Sequence, residues 1–149
     1  MFGTILLAVD DTKGAGFATG AVRDLAVATG DQVLVAHVRE FATGGRTGSY
    51  SYDSTDQAAA FLETILEQLR AVGVQARAEV RTALVGRAGK ELVQAAQEHG
   101  AGLGAIGSHS AGDLRALVLG SVAHDVVHHA HCPVLLVPEP TTARTMVGS

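Results

Sequence analysis

The sequence lacks the features that mark secreted or membrane-spanning proteins. It holds a single cysteine, Cys132, which excludes an internal disulfide and fits a reducing compartment. No apolar run approaches the roughly 18 residues that a membrane-spanning helix needs. No basic leader precedes the first apolar segment, which reads as a strand rather than a signal peptide. These absences predict a soluble, cytoplasmic protein with no membrane partner.

Positive charge is also scarce. The chain has 11 lysines and arginines against 15 aspartates and glutamates, for a net charge of −4. The basic residues are scattered rather than aligned along one face, which argues against nucleic acid or an anionic membrane as a partner. A local anion site is still allowed, because backbone N–H groups can bind an anion without any basic side chain.

The chain does contain enough apolar sequence for one folded domain. Its 149 residues are 47% hydrophobic and 17% charged, which is typical of a globular protein with one substantial core. No internal repeat and no second domain is visible. Because the last apolar pattern ends near residue 138, we expect one domain over residues 1–138 and a flexible C-terminal tail over residues 139–149.

Apolar strands alternate with helical patterns along the chain. Strand patterns cover residues 5–9, 33–38, 74–80, 103–106 and 133–137, with a helical pattern in each gap. The third strand alternates apolar and polar residues, as a half-exposed strand at a sheet edge does. The order predicts an α/β fold: one doubly wound, Rossmann-like domain with a five-stranded parallel sheet, four helices and strand order 3-2-1-4-5.

One long segment has no apolar period. Residues 41–53 are rich in glycine, serine and threonine. This composition predicts a mobile loop, and it is the one candidate lid in the chain.

The segment from Ile106 to Val122 carries the clearest functional pattern. An apolar strand runs into a loop of small residues, and Gly120-Ser121 then opens a helix. Small residues let backbone N–H groups approach an anion, and a helix N-terminus adds favourable dipole charge. In a doubly wound sheet, ligands lie beyond the carboxyl ends of strands where the strand order reverses. The pattern therefore predicts a phosphate site near the ends of the strands that finish at Val9, Val38 and Ile106.

Several segments resemble universal stress proteins, over about residues 4–138. They are ILLAVD at 5–10, AHV at 36–38, LGSVA at 119–123 and HAHCPVLLV at 129–137. ATP-binding members of that family carry glycine, two residues, glycine, nine residues, and then glycine with serine or threonine. Here the pattern is Gly107, two residues, Ser110, nine residues, and Gly120-Ser121, so a serine stands at the second glycine.

The resemblance implies a nucleotide-binding domain and a homodimer. It implies that Asp10 contacts the adenosine, that backbone near Val9 and Val38 borders the adenine, and that the glycine-rich segment holds ribose and phosphates. The implied nucleotide is ATP, with AMP, ADP or cAMP as alternatives and Mg²⁺ as a companion ion. The complete set of implied binding residues is Ala8, Val9, Asp10, Val38, Ile106, Gly107, Ser110, Gly120, Ser121 and Val122.

Simpler roles compete with these assignments. Asp10 could cap the first loop or helix, and Gly107 and Gly120 could be ordinary turn glycines. Ser121 reads as the N-cap of the following helix, a role compatible with phosphate binding. At Ser110, a required positive φ would impose strain of about 1 kcal/mol or more. If the site needs only a small side chain, serine fits.

The late histidines suggest a metal site, but the sequence favours another reading. His124 and His128 are four residues apart, followed by His129 and His131. A zinc site needs three or four convergent ligands, and the helix turns His129 away from the first pair. We therefore interpret them as solvated helix-face histidines and predict no metal site. Cys132 reads as a small buried residue at a strand start rather than a nucleophile.

The sequence thus predicts a stress-response regulatory protein that binds an adenine nucleotide and acts through occupancy and dimerisation. No general base, arginine finger or Walker lysine is recognisable, so slow ATP hydrolysis is the most that we expect, and no catalytic residue is assigned. The alternative is an interaction or scaffold homodimer with a vestigial pocket. In either case the dimer would form through the last strand, which comprises Val134, Leu135, Leu136 and Val137.

Overall fold

The computed structural model describes residues 1–9, 13–44, 48–51, 55–110, 117–118 and 120–138. Within these ranges the chain forms seven strands and four helices. The strands are β1 (Thr4–Ala8), β2 (Gln32–Gly44), β3 (Gly48–Ser51), β4 (Ala76–Leu84), β5 (Leu103–Ser110), β6 (Leu117–Val118) and β7 (Val134–Pro138). The helices are α1 (Lys13–Thr29), α2 (Thr55–Arg70), α3 (Ala88–Glu98) and α4 (Ser121–His129).

The five long strands form the predicted parallel sheet. Their order is β4-β2-β1-β5-β7, which is strand order 3-2-1-4-5 when the parallel strands are counted along the chain. This confirms the doubly wound α/β fold. Because β1 pairs with β2 on one side and with β5 on the other, the strand order reverses at β1. The predicted edge strand, β4, pairs with β2 alone among the described residues.

Two short antiparallel strands were not predicted. β3 folds back onto the end of β2, with Phe41 opposite Ser51 and Gly44 opposite Gly48. The predicted mobile loop over 41–53 is therefore wrong for residues 41–44 and 48–51, which form a hairpin, and residues 45–47 and 52–53 lie outside the described part. The reason is that these residues are mostly small or polar, with Phe41 and Tyr50 as exceptions, and therefore show no apolar period. The strands are joined by backbone hydrogen bonds, which do not depend on such a period.

β5 also continues beyond its apolar segment. The strand was predicted to end at Ile106, but it runs to Ser110, where His109 and Ser110 pair with Val118 and Leu117 of β6. Small residues have weak strand preferences of their own, so pairing decides the conformation of this extension: with β7 at Gly107 and Ser108, and with β6 at His109 and Ser110.

Helices cover both faces of the sheet. One face, the α1/α2 face, packs large side chains of alternate strand positions against α1 and α2; its members include Ile5, Leu7, Val33, Val35, Val22, Leu62, Ile65 and Leu69. The opposite α3/α4 face uses the intervening positions, with smaller residues; its members include Leu6, Ala8, Leu34, Ala36, Ile106, Leu92, Ala95, Ala123 and Val126. The alternation follows from the two-residue period of a strand.

A buried carboxylate secures the amino end of β1. Asp31, which precedes β2, accepts hydrogen bonds from the backbone N–H groups of Phe2 and Gly3 at 3.0 and 2.9 Å. Its side chain is 4% exposed. The hydrogen bond from the Phe2 amide is the main reason that the pKa of this carboxyl lies well below its usual range. Asp31 therefore stays ionised and joins the start of β1 to the start of β2.

An ion-pair network attaches α3 to the edge strand β4. The Arg81 guanidinium donates to Glu91 Oε1 at 2.7 Å and to Glu98 Oε2 at 2.8 Å, both on α3, and to Glu79 Oε1 at 2.6 Å on its own strand. The hydrogen bond from Arg81 also lowers the pKa of Glu98. The network fixes where α3 lies over the sheet, although such partly exposed pairs contribute little to stability individually.

No helix in the described part combines the length and apolarity needed to cross a membrane.

Candidate functional site

The ends of β1, β2 and β5 meet at one edge of the sheet. Ala8, the last residue of β1, is the register partner of Ala36 in β2 and of Ile106 in β5. The next residue, Val9, continues the contact, since its N–H donates to the Ala36 carbonyl at 3.0 Å. The predicted residues Ala8, Val9 and Ile106 are therefore adjacent at the point where the strand order reverses.

These residues offer backbone rather than side chains to a ligand. Ala8 and Ile106 are each 8% exposed and pack on the α3/α4 face, where Val38 also contacts the core. Val9 is 7% exposed and packs on the opposite face. Such an edge can border a flat apolar group and hydrogen-bond to it through the main chain. Asp10, predicted to contact the adenosine, lies outside the described residues.

His37 is a residue of this region that the sequence analysis missed. Its Nδ1 lies 3.0 Å from the Val9 carbonyl oxygen, and because a carbonyl can only accept, Nδ1 is the donor. The residue is 6% exposed, and its ring meets Phe61 of α2 edge-on at 5.9 Å. His37 therefore joins the end of β1 to β2 directly before Asp10 and Val38. The detectable signal was a polar residue inside an apolar strand.

Ser110 lies in regular strand. It belongs to β5 and pairs with Leu117 of β6. No residue in the described ranges other than glycine has a positive φ. The strain considered for a serine at this position is therefore absent. Gly107, the first glycine of the motif, lies in the same strand and is the register partner of Val137 in β7.

Gly120 is the N-cap of α4. Its φ of −64° and ψ of 164° are extended, and its carbonyl accepts the His124 amide at 2.9 Å, the first bond of the helix. The prediction that Ser121 is the N-cap is therefore wrong: Ser121 is the first helical residue. The cap is set by where the backbone leaves the extended conformation, which a pair of small residues does not reveal.

Nothing in the described structure requires glycine at position 120. A Cβ built there has no neighbour within 4 Å among the described atoms, and its φ is accessible to any residue. Gly120 makes no side-chain cap, and Ser121 is exposed. The first amides of a helix lack intrahelical acceptors and carry the positive end of its dipole. An open, uncapped helix start of this kind is suited to bind an anion.

Val122, the last of the predicted binding residues, lies one residue further into α4. It is partly buried against the core of the α3/α4 face. Its carbonyl oxygen lies 2.9 Å from the position of a Cβ built at Gly89 of α3. Val122 therefore contributes to the contact between the two helices. Its backbone N–H lies in the first turn of α4, where N–H groups have no acceptor within the helix.

The histidines of α4 contact one another and their own helix. The His124 and His128 rings stack at 6.0 Å, and His129 meets His128 edge-on at 5.0 Å. The Nδ1 of His129 lies 3.0 Å from the Asp125 carbonyl oxygen and donates to it. Burial raises the pKa of the Cys132 thiol, which reduces the thiolate available for nucleophilic chemistry.

One group of side chains in the described ranges has ligand atoms close enough to hold a metal: Glu79, Glu98 and His99, within 4.8 Å of one another. Arg81 already hydrogen-bonds to both carboxylates, and His99 Nε2 contacts Glu79 Oε2. The charge that would attract a cation is thus largely compensated by the protein itself.

Comparisons with known proteins agree over nearly the whole chain. The model of the universal stress protein family matches residues 1–138. The "universal stress protein in QAH/OAS sulfhydrylase 3′ region" of Thermus aquaticus is 34% identical over 143 residues, covering 92% of this chain and 99% of the relative. A universal stress protein structure from Archaeoglobus fulgidus has a TM-score of 0.73 and 25% identity, covering 92% of this chain and 99% of that one.

A further structure bears directly on ligands. The universal stress protein from Archaeoglobus fulgidus in complex with dAMP has a TM-score of 0.68 and 25% identity, covering 91% of this chain and 98% of that chain.

Proposed function

This chain belongs to the universal stress protein family, and we propose that it is a stress-response regulatory protein that binds ATP or another adenine nucleotide where β1, β5 and α4 meet. The observation that carries the proposal is Gly120: an uncapped helix start, open to solvent, with a glycine that neither conformation nor packing demands. The dAMP complex of the Archaeoglobus relative supports an adenine nucleotide as the ligand.

Each predicted residue has a definite part in this proposal. The phosphates bind the first amides of α4, from Ser121 and Val122, with Gly120 allowing close approach. Gly107 and Ser110 border the ribose and phosphates along β5. The backbone at Val9 and Val38 borders the adenine, alongside Ala8 and Ile106. Asp10 contacts the adenosine, and His37 holds the end of β1 in place.

Two elements, α4 and β5, connect the proposed phosphate site to the edge strand β7. α4 begins at the proposed phosphate site and leads through residues 130–133 into β7. β7 also pairs with β5, so both elements that contact the phosphates adjoin it. Nucleotide occupancy therefore acts on the strand through which we propose that two copies associate.

Isothermal titration with ATP, with and without Mg²⁺, tests the proposal. We expect Gly120→Val to weaken ATP binding at least tenfold, or about 1.4 kcal/mol, because its side chain occupies the approach to the α4 amides. Gly20→Val is the matched control: Gly20 also has open space around it, in the middle of α1, and this variant should bind like the native protein. No heat of binding from native protein at millimolar ATP overturns the proposal. Mass spectrometry of co-purified small molecules identifies the nucleotide.

The edge strand supports a second candidate function, an interaction or scaffold homodimer without a nucleotide. Within the described residues β7 pairs with β5 alone, and residues 134–137 remain partly exposed. We expect light scattering at micromolar concentration to give the mass of a dimer. Val137→Lys should shift it to a monomer, whereas Val80→Lys on the opposite edge strand, where Val80 is 47% exposed, should not. A native monomer excludes the dimer, and a dimer with no affinity for ATP favours this second function.

We also propose that residues 1–138 form the folded unit and residues 139–149 a flexible tail. The family match ends at residue 138, and the tail lies outside the described residues. Limited proteolysis should remove the tail first, as a mass measurement of the product would show. The remaining product should have the same melting temperature as the uncleaved protein. Protection of the tail from cleavage contradicts this division.

A further inference from the structure

A cavity of about 200 Å³ lies between the sheet and the two helices of the α3/α4 face. Its inner wall is formed by buried apolar residues, among them Leu6 on β1, Leu92 on α3, Ile106 on β5 and Val126 on α4. We call this space the α3/α4 cavity.

The cavity opens at the amino end of the sheet. Its rim is formed by Gln97 and Gly100 at the end of α3, and by Ala130, His131 and Cys132 between α4 and β7. In a parallel sheet these connections, each leading into the next strand, lie opposite the ends at which the proposed nucleotide site sits. Ala8 and Ile106, two of the predicted nucleotide-site residues, also line the cavity, so the two sites have these residues in common.

The chemistry of the wall is apolar and uncharged. No aspartate, glutamate, lysine or arginine is among the described residues that line the cavity. The polar groups are at the mouth: the Gln97 amide, the imidazole and the half-buried thiol of Cys132. An apolar cavity is poorly suited to hold ordered water, which needs two to four polar partners.

Gly104 creates much of the space. It lies in β5 and faces the cavity, and a Cβ built there meets only Val134 Cγ2, at 4.0 Å. Its φ is not positive, so the backbone would accept a larger residue. The neighbouring alanines Ala96 and Ala101 add little bulk. The cavity is thus formed by small side chains at positions where larger ones could stand.

We propose that the α3/α4 cavity binds a neutral, mostly apolar small molecule of one or two fused aromatic rings. The volume sets the size, since an apolar cavity of about 150 Å³ accommodates benzene. The uncharged wall excludes ionised groups, whose desolvation would go uncompensated. The polar rim allows one hydrogen-bonding group, placed at the mouth near His131 and Cys132. The cavity is a separate space from the proposed nucleotide site, although Ala8 and Ile106 border both.

Indole is a suitable probe because it is bicyclic, neutral and carries a single N–H. Titration of the native protein, followed by methyl NMR, should shift the Leu6, Leu92 and Val126 resonances with a common saturation curve. Indole-3-acetate, which adds one negative charge, should bind at least tenfold more weakly. Gly104→Leu, which fills the space, should reduce indole affinity at least tenfold while ATP binding is unchanged. Gly120→Val is the matched control, and its indole affinity should stay within twofold of native.

A second measurement needs no variant. Saturating indole should slow the alkylation of Cys132 by iodoacetamide at least threefold, because the occupied cavity covers the thiol from the inner side. The proposal is overturned if millimolar indole shifts none of the lining methyl groups, if Gly104→Leu binds indole like the native protein, or if Cys132 reacts equally fast with and without indole. None of these outcomes depends on whether the protein binds ATP.

Discussion

The two faces of the sheet are built from the same strands and differ in how they are filled. On the α1/α2 face, Ile5, Leu7, Val22 and Leu69 have no solvent exposure, and apart from Leu34 the largest fully buried side chains lie there. On the α3/α4 face, alanines and glycines occupy many of the equivalent positions and a cavity of about 200 Å³ remains. Strand alternation decides which residues face each side, but side-chain size decides whether the space closes.

The contact between α3 and α4 explains why the cavity persists. A Cβ built at Gly89 of α3 would lie 2.5 Å from Asp125 Cβ and 2.9 Å from the Val122 carbonyl oxygen of α4. The helices therefore already touch through backbone and cannot approach each other further. The Arg81 ion pairs also hold α3 to β4, so α3 cannot move towards the sheet. The space above the small residues of the sheet therefore stays empty.

Truncating one leucine on each face is the sharpest test of this difference. We expect Leu69→Ala on the filled face to reduce the free energy of unfolding by about 4–5 kcal/mol, and Leu92→Ala beside the cavity by about 2–3 kcal/mol. Leu69 is fully enclosed, whereas Leu92 borders empty space and loses fewer contacts. Urea denaturation measures both. Equal losses would mean that the α3/α4 face is packed as tightly as the other.

Adding one methyl group at two glycines separates the helix contact from the cavity. Gly89→Ala should cost about 1–3 kcal/mol, because the new Cβ collides with Asp125 and with the Val122 backbone. Gly104→Ala should be neutral or stabilising by up to about 1 kcal/mol, since its Cβ enters empty space and the unfolded chain loses freedom. Thermal unfolding compares the two. A destabilised Gly104→Ala would contradict the open volume beside β5.

The smallest expected effect concerns the amino ends of the two faces, where Asp31 joins β1 to β2 and the cavity has its mouth. Asp31→Asn should destabilise the protein at pH 7, because the ionised carboxylate accepts the Phe2 and Gly3 amides. The pKa of Asp31 is lowered on folding, so its contribution is present above about pH 4, the usual range of an aspartate. It is lost as pH falls through the folded value.

Melting temperatures of the native protein and Asp31→Asn between pH 7 and pH 2 measure this dependence. The difference between the two proteins should be constant near neutrality and shrink progressively below about pH 4. As a control, Asp24→Asn removes an exposed carboxylate of α1, and its difference from native should be small at every pH. If the difference in melting temperature between Asp31→Asn and the native protein persisted to the lowest pH, the charge of Asp31 would not contribute to stability.

Much of the fold could be predicted because local patterns carry it. The apolar runs at 5–9 and 33–38 and the alternation at 74–80 identified β1, β2 and the edge strand β4. The hairpin of β2 and β3 could not be predicted, since residues 41–44 and 48–51 show no apolar period that would mark them as strands. At the site, the sequence located Gly120 in the right segment but assigned the cap to Ser121. His37 was missed because its partner, the Val9 carbonyl, lies 28 residues away in the chain.

The sequence by itself determined the fold class and the family, because hydrophobic periodicity and motif spacing are local properties of the chain. Only the tertiary structure decided the rest. It showed that Ser110 lies in strand without a positive φ, that Gly120 rather than Ser121 caps α4, and that Gly104 opens a cavity. Each depends on what lies across space from the residue. A side chain's neighbours, and the volume they leave empty, are set by packing between distant segments.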